Sequence, residues 1–100
     1  MCIKKKYLSN NEFCKVTFIL PDRLVPETKS VHIAGDFNDW SMTSTEMRKV
    51  SGKYIKSMKL KANKAYQFRY LINGKKWEND LEADGIIPPE RNYYNSIINL

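Results

Sequence analysis

From residue 13 onward, apolar and polar residues alternate with a period of two, and no segment keeps a helical 3.6-residue repeat over three turns. The pattern predicts an all-β chain. In FCKVTFIL (13–20), Cys14, Val16, Phe18 and Leu20 share one face, while Lys15 and Thr17 point away. Pro21 and Pro26 close this strand, since proline cannot donate to a ladder. SVHIAG (30–35) follows with Val31 and Ile33 inward, and runs into the turn-forming stretch GDFNDW (35–40). A short segment at 47–50 meets a turn at Ser51-Gly52. KYIKSMKL (53–60) then sets Tyr54, Met58 and Leu60 on one face, with Lys56 departing from the pattern.

The clearest strand is AYQFRYLI (65–72). Tyr66, Phe68, Tyr70 and Ile72 face one way, and Gln67, Arg69 and Leu71 the other. Asn73-Gly74 predicts a two-residue hairpin, because both central positions of a type I′ turn need positive φ. The return strand carries Lys75, Lys76 and Trp77. ENDLEADGIIPPERN (78–92) has no alternation and holds adjacent prolines, so it reads as an irregular excursion. YYNSIINL (93–100) resumes period two with Tyr94, Ile98 and Leu100 inward. Six or seven short strands at roughly 8–12-residue spacing imply a two-sheet sandwich. Residues 1–12 read as an N-terminal extension and 13–100 as one domain.

Composition narrows what such a domain can do. With 100 residues, 42% hydrophobic and 28% charged, the chain has enough apolar surface for one core. It is far too short for the roughly 250-residue barrel that carries many enzymes. Cys2 and Cys14 come without further cysteines or paired histidines, so no zinc site is expected. Both read as reduced thiols, Cys14 as a small core residue. The sequence after Lys4-Lys5-Lys6 lacks the apolar run of a signal peptide, and no stretch approaches the roughly 18 apolar residues needed to cross a membrane. The default expectations are a cytoplasmic location and no membrane partner. Net charge is +6, which favours anionic partners. Yet the lysines beyond residue 6 are scattered singly among apolar positions, as on solvated strand faces, which speaks against nucleic acid.

Candidate catalytic groups are weak. Asp36, Asp39, Glu78, Asp80, Glu82 and Asp84 could offer the carboxylate pair of a glycosidase, but they fall in predicted loops or just after a turn. His32, the lone histidine, reads as a solvated outward strand residue with no nucleophile nearby. The glycines at 35, 52, 74 and 85 are isolated, so no phosphate loop is present. No catalysis, cofactor or metal is expected. What remains is aromatic and amide chemistry: Trp40 after one strand, Trp77 after the hairpin, Arg69 outward, and Asn95 on the last strand. Sugars present apolar C–H faces and hydroxyl rims, so a receptor needs flat rings for the former and amide or guanidinium groups for the latter.

In the order VHIAGDFNDW, AYQFRYLINGKKWEND and YYNSIINL, covering roughly residues 13–100, the chain resembles a family 48 carbohydrate-binding module. That family includes the glycogen-binding domain of the AMP-activated protein kinase beta subunit and the early-set domains of isoamylase and glycogen branching enzymes. The resemblance implies an immunoglobulin-like sandwich that binds α-1,4-linked glucan without catalysis. It makes Trp40 and Trp77 stacking platforms, and sets Arg69 where kinase-type domains carry a sugar-binding lysine. Asn95 takes the place of a sugar-binding asparagine, and Phe37 that of a buried aromatic. In GIIPPERNYY, where kinase-type domains insert a leucine through the sugar ring, the nearest positions here are Arg91 and Asn92, with Ile86 and Ile87 as apolar neighbours. The match reaches the chain end, which predicts a free-standing module. A second implied role is an early-set interaction domain that has lost sugar binding and associates with a glycogen-metabolising enzyme.

Overall fold

The computed structural model describes residues 3–9, 11–80, 83–87 and 95–100, with backbone alone for Ile86 and Ile87. Cys2, Glu82, Arg91, Asn92 and Tyr94, all named in the sequence reading, lie outside these residues.

The strands are β1 (Ile3–Tyr7), β2 (Phe13–Ile19), β3 (Val31–Gly35), β4 (Arg48–Val50), β5 (Lys53–Lys61), β6 (Ala65–Ile72), β7 (Lys76–Glu78), β8 (Gly85–Ile87) and β9 (Asn95–Asn99). Short 3₁₀ turns occupy Asp22–Leu24 and Asp36–Asn38. One sheet has the order β1-β2-β5-β4, and the other β3-β6-β9-β8 with β7 also paired to β6. Every strand pairing is antiparallel. With β7 and β8 set aside, this is the four-plus-three arrangement of an immunoglobulin-type sandwich.

The inward residues expected from alternation form the core. Cys14, Val16, Phe18 and Leu20 of β2 and its continuation face Val31, Ile33, Tyr66, Phe68, Tyr70 and Ile98 of the opposite sheet, all buried. Phe18 meets Phe68 edge-on across the two sheets with ring centroids 5.1 Å apart, and Phe68 meets Tyr70 at 5.7 Å. Phe37, from the loop after β3, packs on the same group at 5.8 Å from Phe18. Lys56 occupies an inward register position opposite Phe18 and is half-buried, a place a lysine can hold by laying its stem along apolar surface.

Two elements depart from the sequence expectation. Residues 3–7, read as an extension, form edge strand β1 on β2; three consecutive lysines hide any period there. Gly85–Ile87, read as irregular, pairs with β9 as β8; three residues are too few to display alternation. The Asn73-Gly74 turn forms as expected, with φ of 53° and 69° and the Lys75 N–H donating to the Ile72 carbonyl, but the ladder closes at Ile72–Lys76 and so leaves three residues in the loop. Asn73 does more than turn the chain. Its Oδ1 accepts from the N–H groups of Lys29 (2.7 Å) and Ser30 (3.1 Å), and its Nδ2 donates to the Glu27 carbonyl. Among the described residues, no helix is long and apolar enough to cross a membrane.

Lys5 of β1 reaches the opposite sheet, pairing with Asp84 and donating to the Asn99 carbonyl. Burial pushes the Asp84 carboxyl up, but hydrogen bonds from Lys5 and the Asn99 N–H, together with the Lys5 charge, outweigh it and leave the group below its ordinary value. A carboxylate depressed in this way contributes stability in full above its unfolded value near ~3.9, and that contribution is lost as pH falls through the lower, folded value. Asp84→Asn should therefore cost about 1 kcal/mol at pH 7, limited by solvent screening. Urea melts should show the difference shrinking as pH drops below about 4.

Gly35 sits at extended φ, so its requirement is space and not conformation. An added Cβ would lie 2.5 Å from the Gln67 carbonyl oxygen and 2.8 Å from the Phe68 Cβ. Both are fixed by the β3–β6 pairing. Gly35→Ala should lower stability by about 1–3 kcal/mol, an overpacking cost readable by thermal melting.

Candidate functional site

The outward face of the β3-β6-β9 sheet collects all four candidate residues. β6 lies at its centre, so inward Phe68 and Tyr70 oblige Gln67, Arg69 and Leu71 to face out. Trp77 of β7 stands opposite Leu71, and Ala34 of β3 stands opposite Arg69. Asn95 begins β9, one position before the Phe68–Ser96 pair. The Arg69 guanidinium carbon lies 5.5 Å from the Trp40 ring centre and 4.9 Å from that of Trp77. The two indoles are thus bridged by one planar cation, within the range of cation–π attraction. Asn95 Nδ2 donates to Gln67 Oε1 at 2.9 Å, joining the amide pair to the same face.

Trp40 reaches this face through an unusual backbone. Asp39 and Trp40 both adopt positive φ, 55° and 57°, a conformation that costs a bulky residue on the order of 1 kcal/mol or more. The loop holds it there with several bonds. The Trp40 N–H donates to the Gly35 carbonyl at 2.9 Å, and its indole Nε1 donates to Asp36 Oδ1 at 3.0 Å. The other Asp36 oxygen accepts the Gln67 backbone N–H at 2.8 Å, so one carboxylate ties the indole to the sheet it overlies. Asn38 closes the loop base, accepting from the Gly35 N–H and donating to the Ile33 carbonyl and Thr45 Oγ1. Phe37 is fixed in the core while Trp40, three residues on, is turned out.

The rest of the face is set by packing. Leu71 is buried although it points outward, and its lateral neighbours in register are His32 and Trp77. His32 is accordingly half-buried, with Nδ1 out of solvent and no hydrogen-bond partner among the described residues; it is not the solvated residue expected from its outward position. Trp77 is anchored from both sides of β7. The Asn73 clip holds the hairpin tip, and Glu78 pairs with Lys76 (2.9 Å) and Arg23 (3.7 Å). Further on, buried Asp80 accepts from the Tyr70 hydroxyl at 2.9 Å, and its N–H donates to Ser96 Oγ at 3.0 Å. Asp36, Glu78, Asp80 and Asp84, weighed above as catalytic carboxylates, each hold a structural hydrogen bond or ion pair.

Two members of the site were missed in the sequence. Gln67 shares the outward parity of Arg69, which was a usable signal. Asp36 lies four residues before Trp40 in a turn-rich stretch, where an aspartate is expected for turn formation alone. A search with protein-family models finds no match to this chain, and a search of curated proteins finds none either.

Asp36→Ala would remove the indole's acceptor and leave the Gln67 N–H without its partner, at a cost of about 1–3 kcal/mol. Tryptophan emission should shift to the red as the Trp40 ring loosens. An unchanged spectrum would show that the loop backbone alone holds the ring.

Proposed function

We propose that this protein is a non-catalytic binding module for α-1,4-linked glucan, taking glycogen, starch or maltooligosaccharides as ligand. One observation carries the reading: the Arg69 guanidinium lies between two indole rings, Trp40 and Trp77, on one outward sheet face. Flat rings suit the C–H faces of pyranoses, and the Arg69, Gln67 and Asn95 side chains suit the hydroxyl rims. The two ring centres are no farther apart than the sum of their distances to Arg69, a span that a short oligosaccharide can bridge. The order of motifs that resembles family 48 modules supports the same ligand class, and in the cytoplasm, the default location, the module would meet glucan stores and the enzymes that act on them.

Arginine in place of the lysine of kinase-type domains keeps the charge and adds a planar fork of donors. It can bond adjacent hydroxyls while its face stays against an indole. Each ring covering roughly 100 Å² of sugar would contribute about 2.5 kcal/mol. An association cost of at least ~4 kcal/mol offsets most of the ring contribution, and hydrogen bonds from Arg69, Gln67 and Asn95, at about 1–3 kcal/mol each, bring the expected Kd into the micromolar to millimolar range. A polymer with many equivalent sites raises the apparent affinity.

Titration with maltoheptaose and β-cyclodextrin, followed by tryptophan fluorescence, should show saturable quenching or enhancement in that range. Trp40→Ala and Trp77→Ala should each weaken binding by at least tenfold. Migration unretarded in a glycogen-containing gel, with no difference between the native chain and the two variants, would overturn the reading.

A further inference from the structure

The outward face of the other sheet carries a different chemistry. The strands β1, β2, β4 and β5 hold ten lysines and arginines and no aspartate or glutamate, against 17 and 11 in the whole chain. Strand register sets seven of the ten on the outward face, while Lys5, Lys49 and Lys56 stand opposite the core residues Val16, Tyr54 and Phe18. Lys6 lies opposite Lys15, and Lys15 opposite Lys59, so three lysines stand side by side across three strands. Lys4 lies two residues along β1, and Lys61 two residues along β5, on the same face. All five are exposed, and none forms an ion pair with a described residue.

Stability does not account for this row. Like charges directly opposite in a sheet repel. Protection of sheet edges by lysine explains Lys4 and Lys6 on β1, but Lys15 is on β2, which has strands on both sides. The geometry points to a docking surface for single-stranded nucleic acid, bound through its phosphate backbone without sequence preference. Lysines two residues apart on a strand repeat at roughly 6.8 Å, close to the spacing of successive phosphates in an extended strand. The row also has a ring within it. Phe13 lies opposite Lys61 on the same face, with Lys59 Nζ 4.5 Å above its ring. Ammonium groups beside an aromatic ring suit a phosphate and its neighbouring base together. Point charges with no arginine or amide among these five residues attract phosphate without reading base edges. The hydroxyls of Thr17 and Ser57, bonded to each other at 2.9 Å, form the polar floor beside Lys4.

This surface is on the opposite sheet from Trp40 and Trp77, so it stands or falls independently of glucan binding. The test is fluorescence anisotropy of a labelled thymidine oligonucleotide titrated with the full chain over a range of salt. Five phosphate contacts predict a slope of log K against log salt of about −3.5, or roughly a hundredfold loss of affinity for a fourfold rise in salt. The triple variant Lys6→Gln, Lys15→Gln, Lys59→Gln should flatten the slope to roughly −1.5. Its melting temperature should equal or exceed that of the native chain, since a repulsive row is relieved. Trp40→Ala and saturating maltoheptaose should leave oligonucleotide binding unchanged. No binding at low salt, a slope unaltered in the triple variant, or binding to phosphatidylserine vesicles in place of the oligonucleotide would each overturn the proposal.

Discussion

Everything in this fold is referred to the contact between Phe18 and Phe68, where the two sheets meet edge-on at 5.1 Å. An aromatic pair in this geometry adds attraction beyond the area it buries, and here it also sets parity. Phe68 cannot rotate out without taking Tyr66, Tyr70 and Ile72 with it, because a one-residue slip moves a whole strand face to the other side. Since β6 pairs with β3, β7 and β9, its parity is imposed on three neighbours. Arg69 is outward because Phe68 is inward. Trp77 and Asn95 follow through register.

The loop after β3 shows how the same core permits an exception. Gly35 approaches β6 too closely for a Cβ, and that close approach brings Phe37 down onto Phe18 and Tyr66. Once Phe37 is committed inward, the chain has three residues in which to turn back. It does so with two consecutive left-handed conformations, at Asp39 and Trp40. Neither residue is a glycine, so the strain must be offset by bonds. The Asp36 carboxylate supplies two of them, one to the Trp40 indole and one to the Gln67 N–H. A large aromatic is thereby held out of the core at a conformational cost.

Much of this was legible because β-strands print their burial on the sequence at period two. The inward sets of β2, β3 and β6, the type I′ turn and the outward Arg69 are direct readings of that alternation. The failures have equally definite causes. β1 was hidden because its partners impose structure on KKK, a string with no period. β8 is too short to carry one. The burial of Leu71 and the half-burial of His32 depend on lateral neighbours across β3, β6 and β7, which are distant in sequence. The role of Asp36 was invisible because an aspartate in a turn has a sufficient local explanation.

The same alternation separates the two outer surfaces. In a sandwich, each strand has one face committed to the core and one left to solvent, so the outer residues of the two sheets are chosen independently. On the β3-β6-β9 sheet, the outward residues are an arginine, amides, tryptophans and a buried leucine that supports them. On the β1-β2-β5 sheet, they are lysines and hydroxyls with a few apolar residues such as Phe13, and without a single carboxylate. Sequence order conceals this division, since β5 and β6 are adjacent in the chain and both read as alternating strands. The division appears only when strands are assigned to sheets: Lys59 and Lys61 then join Lys15 and Lys6, and Arg69 is left as the one cation in its strand. Net charge averages the two faces and describes neither. Seven cations and no carboxylate from β1, β2, β4 and β5 share one flat face, which creates a directional field there that the average hides.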